Sequence, residues 1–391
     1  MKIVDVRIRA VRPFGDREAT AGSVVGWVFV EIEVDDGLIG IGECSNWPRH
    51  GNAIVAQALA VIRRDLIGRD PRQIGGIWHA LFRQFTYLGS RGLGTTVMSG
   101  IDIALWDLRG KALGEPIHRL LEGAVRDAIP LYGHADHGVL LFDDSPDELV
   151  ARVRALAADG YAALKLDPFV EAWPSHTAYL SGTISRAGIR QGAALVGAMR
   201  DAVGPDFEIL IDAHGSYNVA SAIACMDALA PYGITWFEEP VPPESLAALR
   251  QVSARASVPI CVGERLYTRW DVLPILSEGL ASFLMPDVCW TGGISELKRI
   301  ATLAESFGVT LSPHNALGPI QIMAGAHVMM TVPNFYRLEI HTGWLAEYDG
   351  CLTRPLDIRE GSLFVSDRPG LGVELDEAFL REHAVPLLDE P

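Results

Sequence analysis

The chain has 391 residues, 49% hydrophobic and 21% charged, with a formal net charge of −16. An α/β barrel takes roughly 250 residues, which leaves room for about one further domain. The acidic balance and the lack of a basic stripe exclude a nucleic-acid partner, and no apolar run approaches the roughly 18 residues of a membrane span.

The first strand pattern, MKIVDVRIRAVRP, alternates apolar and polar residues and lacks the continuous apolar core of a signal peptide. GWVFVEIEVDDGLIGIGE follows as two strands joined at Asp36-Gly37, a hairpin turn signal. The pattern then turns helical in NAIVAQALAVIRRDLIG and DPRQIGGIWHALFRQF. A core-facing stripe comes next, through Val97, Ile101, Ala104, Leu105 and Leu108. Residues 1–125 therefore form an α+β block. The tail, 356–391, carries turn chemistry in LFVSDRPGLGVELDEAFL and is expected to complete that block.

Over 126–355 short apolar strands alternate with helices: AIPLYG, AALKLD, FEILID, ITWFEE, PICVGE, SFLMPD, VTLSP and YRLE. Near-continuous apolar strands alternating with helices predict a parallel sheet covered on its faces, and eight of them predict a barrel. One helix opens at Ser145-Pro146 with Glu148 in its first turn, and another closes on Gly308. The stretch from Pro168 to Arg190 is too long for a plain connection. It predicts an inserted loop at the barrel mouth.

Ionisable residues end the later strands about 25 residues apart, the length of one β/α unit: Asp212, Glu238, Glu264, Asp287, His314 and Glu339. All strand ends of a parallel barrel meet at one mouth. Asp212, Glu238 and Glu264 then offer three hard oxygen ligands, a set suited to Mg²⁺. A lone carboxylate in such a place is often a helix cap, but three in consecutive units would repel without a cation.

Asp287 and His314 end adjacent strands, so the carboxylate can fix the imidazole tautomer and make His314 a general base. His214 lies two residues past Asp212. If the pleat continues it faces the same way and can give or take a second proton; otherwise it caps a turn at Gly215. Lys165 projects into the same mouth, either as a catalytic group or in an ion pair with Asp167. Five cysteines without a CxxC pairing predict a reducing, cytoplasmic setting.

VMSGIDIALWDLRGKALGEPIHRLL resembles the first-domain signature of the mandelate racemase branch of the enolase superfamily, and ILIDAHGSYN…WFEEP resembles its metal-binding signature. The resemblance covers nearly the whole chain. It implies an α+β capping domain on a modified (β/α)₇β TIM barrel, Mg²⁺ on Asp212, Glu238 and Glu264, and proton abstraction beside a carboxylate. Racemases and cycloisomerases of that branch carry Lys-x-Lys at the second strand, where this chain has Lys165-Leu166-Asp167. Asp212-x-His214 with the His314–Asp287 pair is instead similar to the galactonate and gluconate dehydratases.

By that resemblance His314 removes the C2 proton of a sugar acid, His214 protonates the departing C3 hydroxyl, and Glu339 hydrogen-bonds the oxyanion. The product is a 2-keto-3-deoxy acid, and the assembly a dimer or an octamer. Substrate contacts are expected from Arg17, Glu18, Asn46, Trp47, Arg49, His50, Asp167, Trp173, His176, Tyr179 and Trp344. Three other readings stay open: epimerisation through His314 and His214 on opposite faces, a metal-dependent hydrolase or isomerase on an ordinary barrel, although hydrolytic barrels usually recruit histidine ligands, and non-catalytic binding of a sugar acid.

Overall fold

The computed structural model describes residues 1–14, 26–46, 51–134, 146–169 and 181–387. Strands β1 (Ile3–Val11), β2 (Trp27–Val34) and β3 (Ile39–Glu43) form an antiparallel sheet with β2 in the middle. The turn between β2 and β3 is the expected one, with Gly37 at φ 85°. Helices α1 (Asn52–Ile62), α2 (Ile74–Phe85) and α3 (Leu93–Leu113) cover one face. Their shared core takes in Val30, Ile32, Leu59, Trp78, Ile101 and Leu105.

Two glycines set how closely β3 lies on α3. A Cβ at Gly40 would stand 2.2 Å from the Ala104 carbonyl oxygen, and one at Gly42 would stand 2.0 Å from that of Gly100. Only backbone on backbone fits there.

The short helix α4 (Ile117–Leu120) leads into eight parallel strands. These are β4 (Ile129–His134), β5 (Ala163–Leu166), β6 (Glu208–Asp212), β7 (Trp236–Glu238), β8 (Ile260–Val262), β9 (Phe283–Leu284), β10 (Thr310–Leu311) and β11 (Leu338–Glu339). Neighbours pair in chain order from β4 to β10. The ring closes because β11 pairs with β4 while Leu311 bridges Phe335 just before β11. Among the described residues seven helices fill the connections: α5 (Pro146–Ala158), α6 (Arg186–Val203), α7 (Val219–Leu229), α8 (Leu246–Ser253), α9 (Arg269–Glu278), α10 (Gly293–Ser306) and α11 (Pro319–Met329). This is the (β/α)₇β barrel with a separate capping sheet. Of the expected insertion, residues 170–180 lie outside the described residues, and Arg186 to Arg190 belong to α6.

The pleat sorts the strand residues. Tyr132, Ala163, Leu210, Trp236, Cys261 and Met285 form a small apolar cluster inside the ring. Their neighbours Leu131, Leu164, Ile209, Phe237 and Leu284 join the large core between strands and helices. Two residues beyond the inner set the chain places His134, Lys165, Asp212, Glu238 and Asp287, so period-2 alternation carries these groups to one end of the ring.

The tail divides its contacts. Helix α12 (Leu345–Cys351) precedes a hairpin, β12 (Ile358–Arg359) and β13 (Ser362–Leu363), that adds antiparallel to β4. After α13 (Glu377–Glu382), Val385 N donates to Ala10 O of β1. Among the described residues no helix is long and apolar enough to cross a membrane.

Where α4, α11 and the tail meet, two histidines stack with ring centroids 5.3 Å apart. His327 Nε2 lies 3.1 Å from Leu371 O, so it donates there. Its Nδ1 must then accept, from His118 N at 3.3 Å and from His118 Nδ1 at 3.2 Å. Burial drives His327 down to about 3, and burial also lowers His118.

The unfolded chain titrates near histidine's ordinary 6.5. Below that value it takes up a proton the folded chain refuses, so stability is full above it and is lost as pH falls toward 3. His327→Gln should flatten this dependence. Denaturant titrations at about pH 7.5 and about pH 5 should differ by at least about 1 kcal/mol less in the variant than in the wild type.

Candidate active site

Asp212, Glu238 and Glu264 present one carboxylate oxygen each within 4.8 Å of one another, and all three are buried. Glu264 reaches this group one residue out of step with the pleat. Gly263 makes that possible: its φ is 146°, and a Cβ there would stand 2.7 Å from Met285 N. Glu238 Oε2 is buried without a hydrogen-bond partner. Burial and the neighbouring Asp212 hold Glu238 well above the carboxylate range. Crowded oxygens, one of them an unused acceptor, form a donor set that a divalent cation fits.

Lys165 occupies the floor of the cluster. Its Nζ lies 2.7 Å from Glu339, 3.1 Å from Asp212 and 3.2 Å from Glu238. Burial works against the ammonium, but Glu238, Glu339 and Asp212 keep it charged. The alternative ion pair with Asp167 is not the one formed. Asp167 Oδ1 accepts from Phe169 N at 2.9 Å, and its Oδ2 lies 3.4 Å from His214 Nδ1.

His214 comes to the cluster by an unexpected route. Strand β6 ends at Asp212 and His214 is left-handed at φ 49°, so no pleat aims it. A turn does so instead, fastened by His214 N donating to Asp212 Oδ1 at 2.9 Å and by Gly215 N donating to Glu239 O. Its Nε2 ends 3.5 Å from Asp212 Oδ2. Burial opposes its charged form, yet Asp212 and Asp167 lift it to about 9.

Across the cluster, His314 Nδ1 lies 2.6 Å from Asp287 Oδ2 and its Nε2 lies 3.5 Å from Glu264. Burial again opposes its charge, while Glu339 and Asp287 raise it to about 9. Each imidazole thus touches a different member of the carboxylate triad.

Glu339 is fully engaged. Its Oε1 accepts from Lys165 and from His134 Nε2 at 2.6 Å, and its Oε2 accepts from Asn315 N at 2.9 Å. Burial raises Glu339, but Lys165 and His314 outweigh it and hold the group well below the carboxylate range. Trp344 is buried, stacked on His341 at 4.1 Å with Phe14 tilted against it at 4.8 Å. Asn46 Nδ2 donates to Thr96 Oγ1 at 3.0 Å. Arg17, Glu18, Trp47, Arg49, His50, Trp173, His176 and Tyr179 lie outside the described residues.

The sequence reading missed several residues that touch this group. His134 follows AIPLYG by one position, and carrying the alternation on from Tyr132 would have turned it inward. Asn315, which donates to Glu339, and Gln321 and Trp290, which contact the His314–Asp287 pair, left no such signal.

Comparison with known proteins agrees with this architecture. Residues 2–122 match the mandelate racemase / muconate lactonizing enzyme N-terminal domain, and residues 148–379 match the enolase C-terminal domain-like model. The chain therefore belongs to the mandelate racemase and muconate lactonizing enzyme branch of the enolase superfamily.

Among its relatives, D-galactarolactone cycloisomerase of Agrobacterium fabrum is 36% identical, over 92% of this chain and 91% of that protein. D-galactonate dehydratase of Pectobacterium atrosepticum is 33% identical over 92% and 91%. D-gluconate dehydratase of Thermoproteus tenax is 32% identical over 93% of this chain and 72% of that protein. The crystal structure of a mandelate racemase/muconate lactonizing enzyme-like protein from Rubrobacter xylanophilus superposes with a TM-score of 0.88 at 35% identity, covering 99% of both chains.

Titrating magnesium tests the triad: a divalent cation bound there should raise the melting temperature, since a ligand at a hundredfold excess over its Kd adds about 2.7 kcal/mol to the folded state. Glu238→Gln should move the midpoint of that response to a concentration at least roughly tenfold higher.

Proposed function

We propose that the protein is a Mg²⁺-dependent sugar-acid dehydratase, a hydro-lyase that converts an aldonate or aldarate to a 2-keto-3-deoxy acid. The observation that carries the reading is the pair of imidazoles flanking one acidic triad, one clamped by Asp287 and the other beside Asp212 and Asp167. Relatives named D-galactonate and D-gluconate dehydratase, alike over nine-tenths of this chain, support it. The domain division that goes with it takes 1–125 as the cap and 126–355 as the catalytic barrel; the tail from 356, expected with the cap, is shared, its hairpin adding to β4 and Val385 reaching β1. A reducing, cytoplasmic setting and a homo-oligomer belong to the same reading, and the five buried, unpaired cysteines support the first.

The C2 proton beside a carboxylate is weakly acidic, and hydroxide leaves poorly. A divalent cation held by Asp212, Glu238 and Glu264 supplies positive charge beside the substrate carboxylate. Asp287 holds the Nδ1 proton of His314, so that once a cation offsets the carboxylates that raise this imidazole, Nε2 is the nitrogen that would take the C2 proton. His214 gives its proton to the C3 oxygen, which departs as water. The enol then takes a proton at C3 to become the 2-keto-3-deoxy acid. Lys165 and His134 offset the charge of Glu339, so that its carboxylate can stand beside the substrate's oxyanion.

A second reading is favoured by the 36% identity to the lactone cycloisomerase. If the substrate were a sugar-acid lactone, the C–O bond broken would release a carboxylate, which needs no proton to leave.

The test is turnover of a library of aldonates, aldarates and their lactones, with 2-keto acids trapped by semicarbazide. His314→Asn should abolish C2 hydrogen exchange with deuterated water. His214→Asn should keep that exchange while dehydration falls roughly 10²–10⁴-fold, the range of a lost general acid. Normal dehydration by His214→Asn would remove His214 from its role, and turnover of lactones alone would decide for the second reading. Deuterium in recovered substrate without a keto acid would mean epimerisation, and binding without turnover would mean a binding protein.

A further inference from the structure

The capping sheet reaches the His314–Asp287 pair through two separate tethers. Strand β3 ends at Glu43, which is wholly buried, and both of its oxygens are occupied. Oε1 accepts from Ser45 Oγ and from Gly318 N, each at 2.7 Å, and Oε2 accepts from Gln321 N at 2.9 Å. Gly318 and Gln321 stand at the start of α11, whose first amides have no partner within the helix.

The Gln321 side chain has its direction fixed. Its Oε1 accepts from Leu317 N at 2.7 Å, so its Nε2 donates to Asp287 Oδ2 at 2.6 Å. That oxygen is the one His314 Nδ1 meets at 2.6 Å, while Asp287 Oδ1 takes Cys289 N at 2.6 Å.

The second tether runs to the imidazole itself. Trp290 lies against the His314 ring with centroids 4.8 Å apart, and its Nε1 donates to Ser45 O at 2.9 Å. Ser45 Oγ is pinned in turn by Val28 N at 3.0 Å. Both supports of His314, the carboxylate at its Nδ1 and the indole on its face, are thus held by residues 43–45 of the cap.

We infer that Gln321, Glu43 and Trp290 are positioning residues through which the cap aims the His314 imidazole, so the orientation of this histidine depends on the seating of one domain on the other. Carboxamide, carboxylate and indole are buried behind Asp287 and the ring and act through them. The catalytic consequence rests on His314 being the base proposed above, whereas the structural claim does not.

The experiment uses the full chain labelled with ¹⁵N-histidine, without substrate. The His314 Nδ1 proton is identified by its absence from His314→Asn, and its exchange with water is measured. In Gln321→Met the donor to Asp287 is gone, and in Glu43→Gln the amide group opposes Gln321 N. Trp290→Phe keeps a ring on His314 but loses the tie to Ser45.

Each variant should exchange this proton roughly tenfold faster than the wild type, as expected when a local restraint is released. Trp106→Phe is the control, because it breaks another contact between cap and barrel, Trp106 Nε1 to Ser295 Oγ at 2.8 Å, away from His314. It should leave the exchange rate unchanged.

With a turned-over sugar acid in hand, the three variants should lower kcat for C2 exchange about tenfold with KM nearly constant. Unchanged proton exchange in those of the three that fold overturns the inference, and so does an equal change in Trp106→Phe. Faster proton exchange with no sugar acid turned over leaves the positioning standing and removes the dehydratase reading. The opposite pair of results does the reverse.

Discussion

Buried like charge is the constraint around which this molecule is organised. Asp167, Asp212, Glu238, Glu264, Asp287 and Glu339 gather at one end of a ring of strands, where each is at most 9% exposed. Carboxylates drawn from water repel one another more strongly than at a surface and lose solvation as well. Lys165 answers three of them and cannot satisfy all three. Glu238 is accordingly held high, while Asp212 and Glu339 are held low. The remaining deficit of positive charge lies where Asp212, Glu238 and Glu264 converge, and the same deficit makes the two flanking imidazoles basic.

Within that field the two histidines are held in different ways. His314 is buried and gripped on several sides, by Asp287 at one nitrogen and Trp290 on one face. His214 sits on a left-handed turn with a side chain 37% exposed. A group that must abstract a proton from carbon gains from a fixed direction, because small misplacements cost rate steeply. A group that delivers a proton to a leaving oxygen must also regain one, and contact with water serves that. The asymmetry suits a proposed division into base and acid better than a symmetrical pair working on opposite faces.

The carboxylates were legible in the sequence because a barrel converts spacing along the chain into position around a ring. Asp212, Glu238 and Asp287 stand where strand alternation puts them, and Glu264 departs by one residue at Gly263 without leaving the cluster. The nearness of His214 to Asp212 was also expected, but through a continued pleat rather than the turn at φ 49° that produces it. What spacing could not reveal is the support. Glu43 and Gln321 meet only because β3 docks against α11, and Trp290 meets Ser45 for the same reason. Contacts between two domains leave no period in either one's sequence.

One position shows how a small change in the mouth alters its chemistry. A lysine at residue 167 would have set a second ammonium near Lys165 and opposite His214, depressing the imidazole's basicity by like charge. With Asp167 there, His214 Nδ1 faces a carboxylate and its Nε2 is turned toward Asp212. Aspartate in place of lysine leaves no ammonium-derived base at this position and holds His214 in its protonated form. Elimination needs one base and one acid, whereas inversion at carbon needs a base on each face. The charge at residue 167 therefore bears directly on which reaction the proposed site can run.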